Sequence, residues 1–208
     1  MSMKVIYCAG EQGRVVLDIL HSTGNYEEVV FADDEERLHG TEINQTEVIG
    51  GLDAVAEMGR DAQVLVAFGD QQTTRIKLAE KLAAEGFGFF NAVHESATVS
   101  DTASIGTGTM INGQSYVGPS SELNDHVLVD SCVSISHDSK VKKGGTVTPG
   151  VTLAGGVELG SDVYVGPGAT VLEEVTVGKG AIIGAGSVVT EDIPAETTVI
   201  GSPAKPLK

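Results

Sequence analysis

The chain has 208 residues, 41% hydrophobic and 20% charged, with 27 glycines, which describes a soluble globular protein of one large domain or two small ones, rich in tight turns. Its 13 basic and 29 acidic side chains leave a formal charge of −16, and this argues against a nucleic acid partner, because phosphate backbones are met by basic faces. No apolar run approaches the roughly 20 residues of a membrane span, and "MSMKVIYCAG" does not read as a secretory signal, so no membrane insertion and a cytoplasmic location are expected.

The first 90 residues alternate strand and helix patterns. "KVIYC" from Lys4 to Cys8 is a β-rich run, "AGEQG" a turn, and "RVVLDILHS" a helix with Val15, Val16, Ile19 and Leu20 on its apolar face. "VVFADD" reads as a second strand ending in Asp33 and Asp34, and "QVLVAFGD" as a third. "TTRIKLAEKLAAEG" reads as an amphipathic helix with Ile76, Leu78, Ala79 and Leu82 near one face, closed by Gly86. This order predicts a small parallel sheet of the Rossmann type over residues 1–90. Cys8 and Cys132, lacking C-x-x-C or Cys/His spacing, are expected to be buried, reduced packing residues.

From Val93 the rule changes. Every sixth residue through Val189 is aliphatic: Val93, Val99 and Ile105 begin a series of seventeen without exception. Two positions earlier stands a small or β-branched residue, as at Val133, Ser139 and Gly145. A period of six fits a solenoid with one flat face per hexapeptide and three faces per coil, and neither a helix nor a coiled coil. Residues 91–208 are therefore expected to form an all-β, hexapeptide-repeat domain with a C-terminal tail.

Aliphatic interiors leave chemistry to the corners. His137 follows the inward Ile135 by two positions, and Asp138 comes next. The other histidines fall near the end of the first helix (His21), in an acidic loop (His39), at the domain junction (His94) and at another corner (His126). Position alone leaves His137 as either a catalytic or a solvated surface histidine. In the N-terminal sheet the natural ligand crevice lies at the first turn and the end of the second strand. Backbone groups around Ala9, Gly10, Gln12 and Gly13 would meet a pyrophosphate at a helix N-terminus, and Asp33 and Asp34 lie where such folds contact a ribose or base.

The six-residue repeat, "FADD", "VAFGDQQTTR", the His-Asp pair and the closing "VIGSPAK" together resemble the sugar acetyltransferase family of PglD, PerB and NeuD. The resemblance spans nearly the whole chain. It implies a left-handed parallel β-helix, a homotrimer with sites between subunits, a nucleotide-linked amino sugar on the Rossmann-like domain and acetyl-CoA on the solenoid. Within it, His137 would be the general base, Asp138 would orient its ring, the backbone N–H of Gly155 would meet the oxyanion, and Lys205 would contact acetyl-CoA. No metal is implied. Lys140, Lys142 and Lys143 would attract CoA phosphates or stand as a solvated corner.

Two departures stand out. Relatives commonly read Gly-x-Gly-Gly-His-Gly at the first turn, where "CAGEQG" places Cys8, Glu11 and Gln12, and a carboxylate beside a pyrophosphate is unfavourable. A second histidine nine residues after the first is Thr146 here. The activity implied is N-acetylation of a 4-amino-4,6-dideoxy type nucleotide sugar. The alternatives are sialic acid O-acetylation, a noncatalytic nucleotide-sugar binder, and a γ-carbonic anhydrase type metal enzyme. The last needs three histidine ligands, whereas the solenoid proper carries only His126 and His137.

Overall fold

The computed structural model describes residues 3–24, 28–69 and 74–207. It divides into two compact units, Met1–Glu95 and Ser96–Lys208. Residues 70–73, which include the start of the expected second helix, and Lys208 lie outside the described residues. Among the described residues no helix is long and apolar enough to cross a membrane.

The first unit runs β1 (Lys4–Tyr7), α1 (Glu11–Ser22), β2 (Val29–Ala32), β3 (Glu42–Ile43), β4 (Thr46–Glu47), α2 (Leu52–Glu57), β5 (Gln63–Val66), α3 (Thr74–Ala84) and β6 (Gly88–Phe89). The parallel sheet has the order β2-β1-β5-β6, so the chain leaves β1 in opposite directions to reach its two neighbours. That reversal opens a crevice beyond the carboxyl ends of the strands. Val5, Ile6 and Tyr7 of β1 are all buried, as a central parallel strand covered on both faces requires.

The helices differ from expectation in detail. Val15 is exposed, and Leu17 joins Val16, Ile19 and Leu20 in the core. The 3.6-residue turn explains this: positions 13, 16, 17 and 20 share a stripe that position 15 leaves. Leu78 is only half-buried, while Ile76, Ala79 and Leu82 are buried. Gly86 closes α3 as anticipated, with φ of 90° and Phe87 N–H donating to the Leu82 carbonyl at 3.2 Å. The β3–β4 hairpin, turned by Asn44 and Gln45 at φ of 49° and 65°, and α2 are too short to show a hydrophobic period.

In the second unit, two-residue strands stack in parallel, each paired with the strand eighteen residues away, as in Tyr116 with Ser134 and Ser134 with Thr152. Three sheets result. One stacks the strands of Val99, Val117, Ile135, Leu153, Val171 and Val189, and the second those of Ile105, Leu123, Val141, Leu159 and Val177. The third includes those of Ile111, Val129, Val147, Val165 and Ile183. From Ile111 to Val189 every member of the aliphatic series is buried, while Val93, Val99 and Ile105 are half-buried. Within this unit the first coil has another coil on one side only.

The residues two positions earlier also point inward, including buried Ser115, Ser121 and Ser139. Their hydroxyls donate to the carbonyls of Asp130, Ser136 and Ala154 at 2.6, 2.7 and 3.0 Å, which satisfies polar groups that an aliphatic interior would strand. Cys8 is buried as expected; Cys132 is not. It occupies an exposed corner at φ of 59°, and its thiol donates to Gln114 Oε1 at 3.4 Å, because the corner position turns its side chain away from the interior.

If the aliphatic column carries the solenoid, Ile135→Ala will lower unfolding free energy by roughly 2–5 kcal/mol in guanidinium titrations, whereas Tyr116→Ala, at an outward position, will change it by less than about 1 kcal/mol.

Candidate active site

His137 and Asp138 occupy a corner between two of the sheets. Asp138 has φ of 58°, a left-handed conformation that aspartate tolerates better than most side chains. The same position six residues before is Cys132 and six after is Gly144, both also at positive φ. This local backbone brings the Asp138 carboxylate back onto the preceding ring, with Oδ2 2.8 Å from His137 Nδ1. A carboxylate only accepts, so Nδ1 carries the hydrogen, and in the neutral ring Nε2 holds the free lone pair. The two side chains are 63% and 65% exposed, so the pair contributes little to stability and the ring edge stays accessible.

One coil further on, Gly155 stands against that edge. A Cβ at Gly155 would lie 2.6 Å from His137 Cε1 and 2.7 Å from Nε2. The flanking amides hold the stack in place: Gly156 N–H donates to the His137 carbonyl at 2.9 Å, and Asp138 N–H to the Pro119 carbonyl at 2.9 Å. The Gly155 N–H itself donates to no group among the described residues. A base with its lone pair free and an unengaged backbone donor are thus brought to one place, which is what acyl transfer needs.

The other expected contacts are distributed differently. Lys205 lies in the terminal strand Lys205–Pro206, which runs antiparallel to Thr198–Ile200, and pairs with Glu191, the residue three coils beyond His137 in the same corner row. Lys140 is 3.1 Å from Glu122, and Lys142 pairs with Glu158, whose carboxyl is held below its usual range by that bond. These pairs lie on the next face of the prism, away from the His137 corner, and form with Asn124, Lys143 and Ser161 a shallow concavity of about 410 Å³. Thr146 belongs to the third sheet, across the prism from the strand that precedes His137. Among the described residues no group of three His, Cys, Asp or Glu side chains converges as metal ligands would.

In the first unit the crevice is present, and most of its expected polar groups are already engaged. The Ala9 N–H donates to Asp33 Oδ2 at 2.8 Å, and the Glu35 N–H to Asp33 Oδ1 at 2.9 Å, so Asp33 braces the first turn and its own loop. Tyr7 donates its hydroxyl to Asp34 Oδ1 at 2.6 Å, and burial together with that carboxylate pushes the phenol far up from its ordinary pKa. Gly13 is buried where a Cβ would meet the Cys8 carbonyl oxygen at 2.1 Å, so its missing side chain serves helix–strand packing. Gly10 and Gln12 line a cavity of about 420 Å³ with Cys8, Glu11, Asp33, Ala67, Phe68 and Gly69. A neighbouring cavity of about 340 Å³ is walled by Tyr7, Phe68, Thr74, Lys77, Leu78 and Lys81 together with Cys8, Asp33 and Asp34. Lys77 and Lys81 were not expected there. The signal was the spacing 74, 77, 78, 81 on one helical stripe, which also describes an ordinary solvated face.

Comparison with known proteins connects the two units. The PglD N-terminal domain matches residues 5–82, and the bacterial transferase hexapeptide (six repeats) matches residues 156–191. The acetyltransferase domain of PglB from Neisseria gonorrhoeae FA1090 is 33% identical over the whole of both chains, with a TM-score of 0.92. The chain belongs to this family of PglD-like, hexapeptide-repeat sugar acetyltransferases. The solenoid is accordingly the family's left-handed β-helix. The same PglB domain has been solved in complex with acetyl coenzyme A, at a TM-score of 0.93. A histidine-to-alanine variant of GDP-perosamine N-acetyl transferase from Caulobacter crescentus, in complex with CoA and GDP-perosamine, is 29% identical, with 100% of this chain and 98% of that one covered, at a TM-score of 0.93. WeeI from Acinetobacter baumannii AYE is 25% identical over the whole of both chains, at a TM-score of 0.71.

Gly155 is not in a left-handed conformation, so alanine there is tolerated by the backbone and clashes only with the ring. Gly155→Ala will therefore shift the His137 Hε1 resonance while leaving the far-ultraviolet circular dichroism unchanged; an unmoved resonance contradicts the stacking described.

Proposed function

We propose that this family member is an acetyl-CoA-dependent N-acetyltransferase acting on the amino group of a nucleotide-linked sugar of the 4-amino-4,6-dideoxy type. The observation that carries the reading is the corner at which His137 Nε2, free because Asp138 holds Nδ1, abuts the unengaged N–H of Gly155. The likeness to a GDP-perosamine N-acetyl transferase and to an acetyl-CoA-bound PglB domain supports it.

The reaction is direct transfer. The sugar amine attacks the thioester carbonyl carbon as His137 Nε2 takes its proton. The carbonyl oxygen, now negative, is met by the Gly155 N–H. Collapse forms the amide and expels the CoA thiolate, which recovers the proton from the imidazolium. Asp138 keeps the ring in the required tautomer and stabilises its charged form. No covalent enzyme intermediate is required, and Cys132, with no histidine bonded to its thiol, has no part in the step.

The reading includes acetyl-CoA held on the solenoid, with Lys205 near its phosphates, and the nucleotide-linked sugar in the crevice that Gly10, Gln12, Asp33 and Asp34 line. It also includes the homotrimer that the family resemblance implies, with a neighbouring copy closing the exposed side of the His137 corner.

Incubated with acetyl-CoA and a panel of amino nucleotide sugars, the protein will release thiol with at least one of them, and His137→Ala will reduce kcat by about 10²–10⁴-fold with an unchanged unfolding midpoint. Release with sialic acids alone would reassign the acceptor to a hydroxyl. Full activity in the His137→Ala variant would remove the base assignment.

A further inference from the structure

The crevice of the first unit carries its charge at the wrong end for a nucleotide held in the usual way. Rossmann-type folds place the pyrophosphate on free N–H groups at the first turn and the following helix N-terminus. Here the Ala9 N–H is already given to Asp33, and the first helical residue of α1 is Glu11, which lines the cavity beside Gly10 and Gln12. A diphosphate seated there would face a carboxylate at close range.

The opposite wall differs. Thr74, Lys77, Leu78 and Lys81 form one stripe of α3 and line the adjoining cavity, and Lys81 also lines a third, beyond Asp34. Neither lysine has an ion-pair partner among the described residues, although the chain carries a charge of −16. The helix is anchored where it must be for these side chains to overhang the crevice: Arg75, 2% exposed, donates Nη1–H to the Phe68 carbonyl at 2.6 Å. Across the same cavity, Tyr7, Phe68 and Leu78 supply apolar walls, and the two carboxylates that also line it are engaged, both Asp33 oxygens by the Ala9 and Glu35 amides and Asp34 Oδ1 by the Tyr7 hydroxyl.

We infer that the donor nucleotide's diphosphate lies against Lys77 and Lys81 of α3, instead of on the first turn of α1, with the nucleoside against the Tyr7, Phe68 and Leu78 walls. This rests on the nucleotide-sugar reading above. It accounts together for Glu11 at the first turn and for two cations on one helical stripe that have no ion pair among the described residues. Two ammonium groups four residues apart on a helix sit about one turn from each other, a spacing that suits two successive phosphates.

The test is isothermal titration calorimetry of the full chain with GDP, UDP and dTDP, and with guanosine, uridine and thymidine. Wild type, K77Q/K81Q and E11Q are compared, with circular dichroism to confirm folding of each. Whichever diphosphate binds wild type will lose at least about tenfold affinity in K77Q/K81Q, with a flatter salt dependence and unchanged affinity for the matching nucleoside. E11Q will change it by less than about threefold. Two results overturn the placement alone: diphosphate affinity in K77Q/K81Q within about threefold of wild type, or a gain of about tenfold or more in E11Q. Absence of binding by all three diphosphates to wild type overturns the nucleotide reading with it.

Discussion

A single backbone constraint organises the larger unit: every sixth residue turns through a left-handed conformation. From position 108 to position 186 all fourteen of these residues have positive φ, and seven of them are glycine. The turn recurs three times per coil, so residues eighteen apart come into register on neighbouring rungs about 4.8 Å apart. Each residue thereby acquires fixed neighbours above and below, and the interior needs only an aliphatic side chain every six positions with a small one between.

The geometry of the His137 corner follows from that register. Asp138 fills a position that requires positive φ, and this returns its carboxylate to the His137 ring. The next rung places Gly155 under Nε2, where any side chain would displace the ring. Neither contact needs a loop or an insertion; both are consequences of choosing particular residues at positions the solenoid already defines. The smaller unit works on another principle, gathering groups at the carboxyl ends of parallel strands, where Asp33 spends both carboxylate oxygens on backbone amides and so holds the first turn in shape.

The solenoid was legible because its period is long-range and repeated: Val93 to Val189 announce it without help from any one residue. The His137–Asp138 pair stood out by composition, and the parallel sheet by its strand–helix order. Four kinds of detail were hidden. Val15 and Leu17 exchange places because a face marked by four residues is a coarse guide to a 100° step. The β3–β4 hairpin and α2 are shorter than one period. Residue type alone marks Cys132 as a packing residue, whereas its corner position shows only in the column of positive-φ sites to which it belongs. Lys77 and Lys81 looked like solvent-facing charge because nothing local distinguishes a helix face over a crevice from one over water.

The most direct test of the account is a crystal structure of the protein with acetyl-CoA bound. In that complex the thioester carbonyl oxygen will lie about 2.7–3.1 Å from the Gly155 nitrogen, with the carbonyl carbon in reach of an amine that His137 Nε2 can deprotonate. A thioester bound at another corner, or a Gly155 N–H still without a partner in the complex, would contradict it.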